Sequence, residues 1–119
     1  MDSIILFAHG ARDPEWARPL ERLRQAVLVQ APDANVRLAF LEFMSPTLAE
    51  ALDAVAADGG RQVLVVPVFL AQGGHVKRDV PVILQAARER HPDLNIYLCA
   101  ALGENQSVID AMATSVLHP

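Results

Sequence analysis

Four times along the chain a short, mostly apolar run gives way to a segment with helical spacing, and that alternation restricts the possible folds more than any other feature. The runs are "SIILFA" (3–8), "NVRLAFLE" (35–42), "QVLVVPVFL" (62–70) and "LNIYLCAA" (94–101). Each has strand length, and apolar residues fall at consecutive positions. That pattern suits strands buried on both faces rather than strands with one wet side. In the third run Pro67 has no N–H to give to a ladder, so regular pairing should end or bulge near it.

The segments between the runs carry one apolar stripe each. In "DPEWARPLERLRQAVLVQ" the stripe is Trp16, Leu20, Leu23 and Val27, with Asp13 as N-cap and Pro14 at the first helical position. Pro19 marks a place where this helix starts afresh or bends. In "SPTLAEALDAVAADGG" Ser45 caps, Pro46 starts the helix, Leu48, Leu52 and Val55 face inward, and Gly59–Gly60 end it. A third helix, capped by Asp79, places Val80, Ile83, Leu84 and Ala87 on one face, and "NQSVIDAMATSVLH" closes the chain. Strand and helix alternating four times imply parallel strands joined by right-handed crossovers. The expected fold is α/β: one doubly wound three-layer sandwich with a four-stranded parallel sheet, occupying residues 1–119 as a single domain.

Composition narrows the function classes. Apolar residues make up 52% and charged residues 20%, as in a compact globular chain, and the net charge of −4 speaks against a general nucleic-acid binder. No apolar run approaches the roughly 20 residues that cross a bilayer, and "MDSIILFAHG" reads as a first strand rather than a leader. Cys99 is the only cysteine. It cannot form an internal disulfide, so the expected setting is the reduced cytoplasm and the expected role of the thiol is core packing.

In open parallel sheets ligands bind beyond the carboxyl ends of the strands. His9 follows the first run, Glu42 ends the second and His75 follows the third, so two imidazoles and a carboxylate should emerge on one edge. Each residue alone has an ordinary explanation, a structural hydrogen bond or a loop charge; their convergence favours a site. Two nitrogens and an oxygen suit a borderline divalent ion such as cobalt, iron, nickel or zinc. Three ligands leave the coordination open, as exchange or catalysis requires. Arg12, Lys77 and Arg78 add a basic rim for an acidic small molecule, and Gly73 and Gly74 give the loop carrying His75 freedom to approach a bulky ligand. The other histidines, His91 and His118, fall near helix C-termini, where an imidazole interacts favourably with the helix dipole. Glu21 and Glu50 read as solvated helix surface. Phosphate-binding glycine loops and a nucleophile elbow are absent from the sequence.

Three stretches, "AHGARDP" (8–14), "FLEFMSPTLAEAL" (40–52) and "VPVFLAQGGHVKRDVP" (66–81), stand in an order and spacing that resemble the small sirohydrochlorin chelatases of cobalamin and sirohaem biosynthesis. The resemblance covers nearly the whole chain. It implies a chelatase-like α/β fold and insertion of a divalent metal into a sirohydrochlorin-type tetrapyrrole, with cobalt first, iron close behind and nickel third. By motif, His9 and His75 would be metal-binding and catalytic histidines and Glu42 their acidic partner. Ala11 stands where the family often has a hydroxyl residue, and the histidine-rich insertion of some small relatives is missing. No ATP or organic cofactor is expected; the metal is a substrate. The longer relatives place two such domains face to face, so a single domain is expected to act as a symmetric homodimer. A metal or tetrapyrrole carrier without turnover, and a flavodoxin-like regulatory domain, are the readings from other classes.

Overall fold

The computed structural model describes residues 2–119, and of His75 the backbone alone. Strands β1 (Ser3–Ala8), β2 (Asn35–Phe40), β3 (Gln62–Pro67) and β4 (Asn95–Leu98) form one parallel sheet in the order β2-β1-β3-β4. Helices α1 (Arg18–Gln30), α2 (Leu48–Ala57) and α3 (Gly74–Arg90) connect them, and α4 (Gln106–Leu117) follows β4. Short 3-10 turns at Pro14–Ala17 and Leu102–Glu104 precede α1 and α4.

The two faces of the sheet explain the continuous apolar runs. Ile5, Phe7, Ala39, Val63, Val65 and Ile96 point to one side, against Leu48, Leu52 and Val55 of α2 and Val80 and Leu84 of α3. The alternate residues Leu6, Ala8, Val36, Phe40 and Val66 point to the other, against Leu20 of α1. Register locks this division: Phe7 lies between Ala39 and Pro67, and Leu6 between Leu38 and Val66. Slipping β1 by one residue would exchange its two faces, so the apolar contents of both cores fix the pairing. Fully burying a side chain such as Phe7 or Ile5 stabilises the fold by about 1.5–3 kcal/mol.

The chain moves from β1 outward to β2 with α1 on one face, then returns across β1 to β3 and β4 with α2 and α3 on the opposite face. Opposite directions on opposite faces keep the crossovers of one hand. The reversal lies between β1 and β3, whose following loops diverge and leave a crevice at the strand ends.

Several local boundaries differ from the sequence reading. The caps expected at Ser45 and Pro46 give way to Thr47, which forms a reciprocal capping box with Glu50: Thr47 N donates to Glu50 Oε1 at 2.8 Å and Glu50 N to Thr47 Oγ1 at 3.2 Å. The Ser45–Pro46 peptide is cis. Glu50, though exposed, therefore does more than face solvent. Asp13 caps as expected, accepting from Glu15 N at 3.0 Å, but it caps the 3-10 turn Pro14–Ala17; α1 begins only at Arg18, with Pro19 in its first turn. The third helix starts at Gly74, with Gly73 as N-cap, rather than behind Asp79. Hence His75, Lys77 and Arg78 belong to the first turns of α3 and not to a flexible loop. Pro81, which resembles a helix-start signal, sits inside the helix on its exposed side. The largest departure is α4, which buries none of its residues in the sandwich it was expected to complete.

Candidate functional site

Beyond the regular ends of β1 and β2 the two chains stay zipped together. Leu41 N donates to the carbonyl of Ala8 at 2.9 Å and Glu42 N to that of His9 at 3.0 Å. Gly10 follows with φ of +96°, and a Cβ there would stand 1.9 Å from the Glu42 carbonyl oxygen. Only glycine permits so close an approach in that conformation. The tight backbone contact sets two candidate side chains beside each other: His9 Nε2 lies 2.9 Å from Glu42 Oε1.

A carboxylate only accepts, so this hydrogen bond places the imidazole proton on Nε2 and leaves Nδ1 as the free lone pair of the neutral ring. The separation also suits a metal. Ligand nitrogen and oxygen at about 2.1 Å from one ion, at right angles, lie roughly 3 Å apart. A divalent ion could take the place of the shared proton with little movement of either side chain. Both side chains are slightly less than half exposed, so the pair is held yet reachable.

Phe69 holds the imidazole from the other side of the crevice. Its ring meets His9 edge-on, with centroids 6.5 Å apart at 81°, and meets Phe7 at 5.7 Å and 89°. Edge-to-face packing of this kind favours one ring orientation. Phe69 comes from the loop after β3, so the switch point between β1 and β3 is closed by an aromatic bridge. Sequence reasoning did not single out Phe69. The signal available was an aromatic residue just past Pro67, where pairing ends and an apolar ring must find cover at the strand ends.

The third expected ligand, His75, has a side chain that lies outside the described residues; its backbone is in the first turn of α3, at the same strand-end edge. Among the described residues no group of three or more His, Cys, Asp and Glu side chains converges. Of the expected ligands the structure thus brings together His9 and Glu42. Arg12 is exposed, and its guanidinium lies 4.7 Å from the ring centre of Phe43, an exposed aromatic residue with φ of +66°. Lys77 and Arg78 are exposed on α3, and Gly73 and Gly74 form the start of that helix with open space around them. The amides of a helix's first turn favour negative charge.

The remaining histidines and the cysteine have other surroundings. His91 ends α3 and places Nε2 2.7 Å from Asp53 Oδ1, which Arg90 also reaches at 2.9 Å. This cluster borders a polar cavity of about 710 Å³ among Arg61, Arg90 and Asn95, at the amino ends of the strands and away from His9. His118 follows α4 as its C-cap. Burial pushes the Cys99 thiol up, which suits packing rather than nucleophilic work.

Comparison with known proteins bears on the family and the fold. The family model described as CbiX matches residues 3–118. The sirohydrochlorin cobaltochelatase of Priestia megaterium is 29% identical over 116 residues, covering 96% of this chain and 37% of that protein. A solved CbiX protein from Marinobacter aquaeolei shares 30% identity and superposes with a TM-score of 0.85, over 98% of this chain and 94% of that one. The sirohydrochlorin chelatase SirB from Bacillus subtilis subspecies spizizenii, solved in complex with cobalt, shares the fold, with a TM-score of 0.81 at 24% identity over 99% of this chain and 51% of its own. The chain thus spans little more than a third of the Priestia relative and about half of the Bacillus one.

Proposed function

The chain belongs to the CbiX family, and from that premise we propose that residues 1–119 form a single chelatase-like domain inserting a divalent metal ion into a sirohydrochlorin-type tetrapyrrole. The observation that carries the proposal is the His9–Glu42 pair, 2.9 Å apart at the switch point of the sheet. Cobalt is the favoured metal, in keeping with the cobaltochelatase relatives, followed by iron and nickel.

Insertion exchanges one dication for two pyrrolic protons. A protein that assists must therefore hold the ion, present it to the ring nitrogens and take up protons. His9 and His75 hold the ion in this account. Glu42, already placed to share a proton with His9, receives protons as the ring nitrogens lose them. Phe69 keeps the His9 ring in its orientation while the ion moves. The macrocycle's peripheral carboxylates meet Arg12, Lys77 and Arg78, with the amides after Gly73 and Gly74 adding neutral donors. The metal is a substrate here, and no organic cofactor takes part.

A flat macrocycle needs a wall on each face, whereas one strand-end edge supplies one. The proposal therefore includes a symmetric homodimer with the strand-end edges opposed, each copy contributing His9, Glu42 and His75. The lone Cys99 supports a reduced, cytoplasmic setting, and no helix among the described residues is long and apolar enough to cross a membrane.

Anaerobic incubation with sirohydrochlorin and Co²⁺, Fe²⁺ or Ni²⁺ in turn, followed by absorption, tests the reading. Faster insertion than in the protein-free mixture, with many products per chain, is expected. Product limited to one equivalent would mean a carrier, and no effect of the protein would refute both.

A further inference from the structure

Phe43 is an apolar ring that neither core takes up. Of the four phenylalanines, Phe7 and Phe40 are buried and Phe69 packs against Phe7 and His9, while Phe43 is 56% exposed. Its neighbours in the loop 41–46 behave differently: Leu41 packs against the core beneath α2 and α3, and Met44 against the core beneath α1. Phe43 stands between them with φ of +66°, a steric outlier for a bulky side chain. Strain of this kind persists only where the surroundings over-determine it. Here they do. Glu42 N is bound to the His9 carbonyl just before Phe43, and a bond from Phe40 N to the Pro46 carbonyl at 2.9 Å closes the base of the loop. The chain thus holds an aromatic ring outward at the strand-end edge, one residue from Glu42.

The face of that ring is not bare. The Arg12 guanidinium lies over it, 4.7 Å from its centre. Among the described residues Arg12 has no carboxylate partner: Asp13 accepts from Glu15 N, and Glu15 pairs with Arg18. A cation over an exposed ring is a weak contact, whereas guanidinium and carboxylate form a charge-assisted, often bidentate pair. Arg12 therefore yields the ring readily to a ligand that carries a carboxylate, and the face it uncovers is flat and apolar. A ligand that profits from both events has a flat conjugated face and carboxylates at its rim.

We propose that the macrocycle stacks on Phe43, and that Arg12 exchanges the Phe43 ring for a peripheral carboxylate as the macrocycle binds. This rests on the tetrapyrrole substrate of the proposed function and names the residue that selects for its flat face. Position agrees. Consecutive Cα atoms are about 3.8 Å apart, so a disc whose centre faces the His9–Glu42 pair extends over Phe43. Aromatic faces prefer to stack with an offset, which leaves the nitrogens at the centre of the disc clear for the metal. The strain also has a use here, since a negative φ at Phe43 would aim the ring elsewhere.

The test is a titration of metal-free sirohydrochlorin into the full chain, followed by its absorption bands, at several salt concentrations. Phe43→Leu keeps an apolar side chain without the stack and should raise the dissociation constant about threefold to tenfold, while Phe43→Tyr should bind as wild type does. Phe43→Gly should bind more weakly still, yet unfold no earlier on heating than wild type, because glycine accepts φ of +66° without strain. Arg12→Gln should weaken binding and flatten its salt dependence, whereas Phe43→Leu should keep the wild-type salt dependence. Loss of that dependence in Phe43→Leu would reduce the ring to a prop for Arg12, and earlier melting of Phe43→Gly would make it a support of the fold. A Phe43→Leu monomer in sedimentation, beside a wild-type dimer, would make it a subunit contact. Each result overturns the stack, as does equal affinity of wild type, Phe43→Leu and Phe43→Gly. Turnover with Co²⁺ is read separately. Phe43-dependent binding without turnover would refute the enzymatic reading alone, turnover with affinity indifferent to Phe43 the stack alone, and a wild-type chain that binds no tetrapyrrole both.

Discussion

His9 and Glu42 were legible as single residues because each follows a strand, and strand ends are where open α/β sheets present chemistry. What the sequence could not display is how closely they meet. That depends on Gly10, whose φ of +96° and contact with the Glu42 carbonyl let two loops approach as near as two strands. Gly10→Ala should therefore destabilise the fold by about 1–3 kcal/mol, measured by thermal or denaturant unfolding, and separate the pair. Wild-type stability and activity in that variant would show that the loop relaxes freely. His9→Ala should retain the fold, since the ring is only half covered, and lose at least about a hundredfold in insertion rate. Glu42→Gln can still accept from His9 Nε2 but takes up no proton; a milder loss of about tenfold is expected in the same assay. Equal activity of all three proteins would separate the pair from the chemistry.

At the scale of elements, apolar spacing located every strand and helix, while the ends followed local bonds that spacing does not encode. α3 shows the limit. Gly73 caps without a side chain, and Asp79, read as the cap, stands inside the helix, so the sequence suggested a loop around His75. The consequence is functional: a helical first turn presents Lys77 and Arg78 from a fixed scaffold. Charge reversal at either should weaken tetrapyrrole binding, and added salt should weaken it in the wild type. Binding indifferent to salt would make these residues ordinary surface.

A second element-scale link joins α2 to the end of α3. The His91 hydrogen bond, helped by Arg90 and opposed by burial, holds the Asp53 carboxyl below its ordinary range. A depressed carboxyl stabilises the folded state above the unfolded value of about 3.9, and the contribution fades as pH falls through the folded value. Asp53 is half exposed, which keeps the effect small. Asp53→Asn should thus be less stable than wild type at pH 7, with the gap narrowing below about pH 4 in unfolding curves. A gap that stays constant into acid would assign the loss to shape rather than charge.

For the whole molecule, alternation of strand and helix announced a doubly wound parallel sheet, and the order β2-β1-β3-β4 bears that out, although β4 buries only Ile96. That α4 buries none of its residues was hidden, because an amphipathic stripe looks the same whether or not its own sandwich covers it. The proposed homodimer answers the single wall at the strand ends, with two copies around one cleft. Dilution below the dimer dissociation constant should lower specific activity, and full activity in a monomer would rule out a shared cleft.

The central claim is that the His9–Glu42 pair works in repeated metal insertion. It is tested most directly by counting metallated tetrapyrrole per chain under anaerobic conditions, with Co²⁺ and sirohydrochlorin in large excess, for wild type and His9→Ala side by side. The account predicts many products per wild-type chain and a rate for His9→Ala close to that of the protein-free mixture. Equal turnover by the two proteins would contradict it.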